Sequence, residues 1–139
     1  MQDDALAAHY RAYIAHLNTR RTGGLQDFVH DRLVHNGRDM SRSDYEDMLA
    51  ATAAAIPDIR YDVGLLLARG DEVAARIDFH CTPAHEWMGL APTGRAITFA
   101  EHVFYRFRDG RIAQVWSLVD LDAIRAQLGG DRSGTQPPP

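Results

Sequence analysis

Apolar residues recur at steps of three and four near the N-terminus. Leu6, Tyr10, Tyr13, Ile14 and Leu17 mark one face of a helix over residues 3–18. Gly23-Gly24 breaks that period. Residues 25–30 read as a short helical turn with Phe28 and Val29 inward, and Arg32 to Asn36 predicts a short strand before a turn at Gly37. Ser43-Asp44-Tyr45-Glu46 has capping-box spacing, in which a serine oxygen accepts from an early helical amide while the glutamate reaches back. It predicts a helix carrying Tyr45, Met48, Leu49 and Thr52 that stops before Pro57. From there period-two alternation takes over. Residues 59–68 and 73–82 predict a hairpin around Arg69-Gly70-Asp71. A loop with Pro83, Trp87, Gly89 and Pro92 then leads into two long strands joined at Asp109-Gly110, where glycine accepts the positive φ of a tight turn. Asp120 precedes a last short helix whose free amides it can cap. Helices first and antiparallel strands afterwards is an α+β order.

The 139 residues suffice for one domain, expected over 1–128, with GGDRSGTQPPP at 129–139 lacking anything to bury and expected to be disordered. A net charge of -4, with arginines interleaved among acids, argues against a nucleic-acid partner. No window approaches the ~20 apolar residues of a membrane span, and the N-terminus is acidic where a signal peptide is basic. A cytoplasmic protein with no membrane partner is the expectation. One cysteine, Cys81, excludes an internal disulfide and reads as a small core residue.

Alternation divides the last hairpin into faces. Phe99, Glu101, Val103, Tyr105 and Phe107 share one side of the first strand; Ala100, His102, Phe104 and Arg106 share the other. On the second strand Val115, Ser117 and Val119 oppose Gln114, Trp116, Leu118 and Asp120. Both faces are apolar enough to be covered, one by the helices and the other by a second copy, so a homodimer is expected. A plain two-residue turn pairs Val103 with Trp116, whereas a one-residue bulge pairs Val103 with Ser117.

PTGR at 92–95, a strand ending YRFR, then DGRI, Trp116 and Asp120, and a helix ending QLG together resemble the SnoaL-like polyketide cyclase family. The resemblance implies a curved antiparallel or mixed sheet wrapped around the N-terminal helices, forming a cone with an internal pocket. It favours the bulged register, with Glu101, Val103, Tyr105, Val115, Ser117 and Val119 on the cavity wall. In the family the positions matching Val103 and Ser117 carry a pocket histidine or acid and the catalytic aspartate. Neither side chain present here transfers a proton at neutral pH.

Glu101 is then the candidate general base, because burial among valines raises a carboxylate toward neutrality. The competing reading is an ion pair with Arg76 or Arg95. His102 is a second candidate for the catalytic acid, entering the cavity only if the turn is unbulged. His35, with Asn36 beside it as a pocket polar residue, could serve as the acid to Glu101 as base. The resemblance to isomerases of this shape places Tyr13 as an oxyanion donor. Trp87 and Met88 read as a lid contacting substrate, and Trp116 and Asp120 as structural. His80, His85 and Glu86 lack ligand spacing, so no metal is expected, and no phosphate loop suggests a cofactor. The expected function is a cofactor-independent cyclase- or isomerase-like enzyme acting on a small, largely apolar carbonyl compound. A non-catalytic ligand-binding or assembly module of the same fold is the alternative.

Overall fold

The computed structural model describes residues 2–128. The chain opens with helix α1 (Asp3–Asn18), passes a 3-10 turn (Leu25–Asp27), and enters strands β1 (Val29–His35) and β2 (Arg38–Ser41). Helix α2 (Arg42–Ala55) follows, then β3 (Asp62–Arg69), β4 (Glu72–Cys81), β5 (Ile97–Arg108), β6 (Arg111–Val119) and helix α3 (Leu121–Gln127). The strands form one six-stranded sheet in the order β2-β1-β6-β5-β4-β3. Among the described residues only the β1–β6 pairing is parallel. The sheet is mixed and not closed, and α1 and α2 cover its concave face.

The buried side chains show why. Leu6, Tyr10, Tyr13, Ile14 and Leu17 are the buried stripe of α1. They meet the alternate residues Val73, Ala75, Ile77 and Phe79 of β4 and Val103, Tyr105 and Phe107 of β5 in one core. Burying a stripe this wide holds α1 in place, since isolated helices of this length are marginal in water.

The Asp109-Gly110 turn has both central residues left-handed, at φ 53 and 77, which matches the twist of its flanking strands. The bulge lies beyond it. Phe107 pairs with Ile112 but Arg106 pairs with Gln114, leaving Ala113 as the extra residue. From there inward Val103 faces Ser117 and Tyr105 faces Val115. That single residue sends Ser117 to the cavity and Trp116 to the outer face.

Three expectations need correction. The capping box of α2 is built on Ser41, whose hydroxyl accepts from the Asp44 amide while Asp44 accepts from the Ser41 amide. Ser43 lies inside the helix, and Glu46 accepts instead from the amide of Leu25. β1 starts at Val29, within the stretch read as a helical turn, and β2 was not anticipated. The Asp120 cap stands as expected, accepting from the amide of Ala123 at 3.1 Å. The expected tail, 129–139, lies outside the described residues. Among those described, no helix is long and apolar enough to cross a membrane.

Side-chain carboxamides complete the sheet at its irregular points. Asn18 donates to the carbonyl of Tyr61 and accepts from its amide, at 2.8 and 2.7 Å. Gln127 does the same for Thr98, at 2.6 and 2.9 Å. Each carboxamide satisfies a peptide group that no neighbouring strand reaches.

Candidate active site

Between the helices and the concave face of the sheet lies a cavity of about 410 Å³. This is within the range of small-molecule sites. Aromatic rings dominate one end, with Phe79 stacked on Phe99 at 4.8 Å, Trp87 against Phe99 at 5.3 Å and Tyr61 against Phe79 at 5.3 Å. Polar groups gather at the other: Tyr13 from α1, Tyr45 from α2, His35 from the end of β1, and Glu101 and Ser117 from β5 and β6.

Glu101 lies on β5 between buried Phe99 and Val103, with Ile77 paired beside it on β4. Its carboxyl accepts a hydrogen bond from the Ser117 hydroxyl. Loss of solvation pushes its pKa above the usual carboxylate range, and the Ser117 bond opposes only part of that rise. The ion-pair alternative finds no support on the Arg76 side. Arg76 points to the outer face, where it meets Asp78 at 3.0 Å. Arg95 donates to the carbonyl of Gln127 at 3.3 Å.

All five tyrosines of the chain lie in or against this region. The hydroxyls of Tyr13 and Tyr45 are 2.7 Å apart, and Tyr10 donates to Tyr105 at 3.1 Å. Burial raises the pKa of each of these phenols, and the nearby Glu101 charge adds to the rise at Tyr10, Tyr45 and Tyr105. They are therefore neutral donors at any ordinary pH. Burial also lowers the pKa of His35 below the ordinary imidazole value. The acid role expected of His35 thus meets surroundings that disfavour its imidazolium form.

Val103, Tyr105, Val115, Ser117 and Val119 line the cavity as the bulged register implies. Trp87 and Met88 sit on a tight turn at its edge, closed by paired backbone bonds between Trp87 and Leu90. Met88 holds φ 52 there, a left-handed conformation that a methionine adopts only at a cost. Asn36 reaches the cavity edge, but its carboxamide is occupied by the backbone of Ser117. His102 is not in the site. The bulge turns it to the exposed outer face, where it contacts the Arg76 guanidinium at 3.0 Å.

Tyr45, Tyr61, Phe79 and Phe99 were missed as cavity residues. Tyr45 belongs to a helical stripe that reads equally as core, and Phe79 and Phe99 continue alternating patterns already expected to be buried. Their signal was the alternation of the middle hairpin, followed across to the last one. Among the described residues no group of three or more potential ligands could hold a metal ion. The chain contains no lysine, so it has no side-chain amine for Schiff-base chemistry.

The sequence profile of SnoaL-like polyketide cyclases matches residues 7–128. The chain belongs to the SnoaL-like polyketide cyclase family. A crystal structure of a SnoaL-like polyketide cyclase from Agrobacterium tumefaciens is 42% identical, with a TM-score of 0.85 over 91% of this chain and 98% of that one. IdmH from Streptomyces antibioticus is 25% identical, with a TM-score of 0.77 over 88% of this chain and 96% of that one. TsrD from Streptomyces laurentii shares the fold alone, at 20% identity, with a TM-score of 0.84 over 93% and 98%. No curated protein matches the chain.

Proposed function

We propose that this SnoaL-like protein is a cofactor-independent acid–base enzyme that moves a proton next to the carbonyl of a small, largely apolar compound. Cyclisation of aldol type and isomerisation both begin with that step. One observation carries the reading: a carboxylate with a raised pKa, tethered by a serine hydroxyl, inside an aromatic cavity. Glu101 takes the proton from carbon, and the Tyr13–Tyr45 pair donates to the developing enolate oxygen. His35 takes part as a neutral imidazole, accepting or relaying a proton rather than supplying a charge. Trp87 and Met88 close over the apolar end of the substrate.

The family resemblance leads one to expect an acid at position 117. Here a serine stands there, and the carboxyl that bonds it comes from the adjoining strand. The functional acid is thus supplied to the same part of the wall from a neighbouring position.

The outer face of the sheet supports the homodimer. Leu65, Leu67, Phe104, Trp116 and Leu118 are exposed together, with Phe104 paired to Trp116. Exposed pairs of both signs, Arg76–Asp78 and Arg106–Glu72, border them. A second copy related by a twofold axis can bury the strip while setting opposite charges against each other.

The test uses a bicyclic aromatic ketone, 2-tetralone, in D₂O. The protein should speed exchange of the hydrogens next to the carbonyl, and Glu101→Gln should remove the effect. Binding of the ketone without any acceleration supports a ligand-binding module of the same fold and contradicts the enzyme.

A further inference from the structure

Ser117 sits where β1 leaves the sheet. The parallel ladder between β1 and β6 ends at the His35–Val115 pair, because Asn36 and Gly37, at φ 50 and 81, turn the chain into β2. The Asn36 amide still donates to the Val115 carbonyl at 2.9 Å. The next peptide positions of β6 belong to Ser117, and no β1 backbone continues opposite them. The side chain of Asn36 fills that gap. Its Oδ1 accepts from the Ser117 amide at 2.8 Å, and its Nδ2 donates to the Ser117 carbonyl at 3.2 Å.

We propose that Asn36 is a positioning residue for the Glu101–Ser117 pair, its carboxamide standing in for the missing strand rung and so fixing the hydroxyl that holds the Glu101 carboxyl. The residue has two tasks. It adopts a left-handed backbone, and it presents an acceptor and a donor spaced like those of a peptide group. Asparagine does both; aspartate lacks the donor and glycine lacks the side chain. Asn18 on Tyr61 and Gln127 on Thr98 show the same substitution of a carboxamide for a strand at two other places in the fold. With both polar ends of Asn36 bonded to Ser117, the residue acts on the site through Ser117.

The consequence for function rests on Glu101 being the working carboxylate, but the test does not require a substrate. Asn36→Gly keeps the left-handed turn free of strain and removes only the rung. Two quantities are followed by NMR: hydrogen exchange of the Ser117 amide, and the titration of the Glu101 carboxyl. The phenols facing Glu101 from α1, α2, the approach to β3 and β5 (Tyr10, Tyr45, Tyr61 and Tyr105) stay neutral throughout. His35 shares the cavity wall and is followed by its own ring signals.

In Asn36→Gly the Ser117 amide should exchange roughly tenfold faster, the factor expected for one lost hydrogen bond. The Glu101 midpoint should rise, as it should in Ser117→Ala. On the Ser117→Ala background, Asn36→Gly should add no further rise. A Glu101 titration unchanged by Asn36→Gly overturns the proposal. So does an equal shift with and without the Ser117 hydroxyl. A normal Glu101 midpoint in the unmodified protein overturns the acid–base reading instead, so the two failures are distinct.

Discussion

The Ser117 hydroxyl donates to the Glu101 carboxyl although the two residues are not ladder partners. Glu101 pairs with Val119 and Ser117 with Val103, so the bond runs diagonally across β5 and β6. The diagonal draws Glu101, among the described residues the only acidic side chain lining the cavity, toward its polar end.

That burial makes stability depend on pH in a definite sense. The folded-state pKa of Glu101 is raised above its unfolded value, so the folded protein binds the proton more tightly. The contribution is fully present below the unfolded carboxylate pKa, falls as pH rises through the folded-state pKa, and is level beyond it. Glu101→Gln should abolish this decline and melt at a higher temperature than the unmodified protein at neutral pH. Thermal melts between pH 4 and 8 check both points. A variant that melts lower at neutral pH and keeps the decline would place its origin elsewhere.

Catalysis should show the opposite preference. Removing the base should lower proton-abstraction activity by about 10²–10⁴-fold, the range ascribed to general-base catalysis. Ser117→Ala should keep activity but move its pH dependence to higher pH, since the bond that lowers the Glu101 pKa is gone. Steady-state rates across pH, on whichever ketone proves active, separate the two variants.

Tyr13 and Tyr45 share one short hydrogen bond inside the core. Either tyrosine changed to phenylalanine strands the other hydroxyl without its partner, and each change should cost about 1–3 kcal/mol of stability. The double change removes both polar groups and should cost less than the sum. Denaturant melts of the three variants test this coupling.

Met88 occupies a left-handed turn position suited to asparagine. Met88→Asn should stabilise the protein by about 1 kcal/mol, while weakening binding of apolar ligands at the cavity edge. A loss of stability would show that the methionine packs for the fold rather than for the ligand.

The outer face makes an independent prediction. Leu118→Arg combined with Phe104→Arg should convert a dimer to a monomer in native mass spectrometry and leave the Glu101 titration unchanged. A monomer in the unmodified protein would contradict the dimer.

Much of this is legible in the sequence. The stripe from Leu6 to Leu17, the Asp109-Gly110 turn and the Asp120 cap each rest on local rules, and local rules held there. β1 and β2 were harder. The β1–β6 register shifts between Val29 and Val34, which breaks the alternation that marks a strand, and β2 is only four residues long. The cap of α2 was misplaced because Ser41 and Ser43 each have an acid three residues on. The choice falls to Ser41 because β2 runs up to it. At the site, alternation identified the β5 and β6 wall but left its register open. A single extra residue, Ala113, decided it. Nothing in the chain marked the carboxamide of Asn36 as spoken for, since that depends on where β1 ends relative to β6.

The most direct measurement is the titration of the Glu101 side-chain carboxyl by carbon-13 NMR. A midpoint above the ordinary glutamate value of about 4.3, lost in Glu101→Gln, is the result predicted for a carboxylate held in an aromatic cavity. A midpoint at or below that value would contradict it.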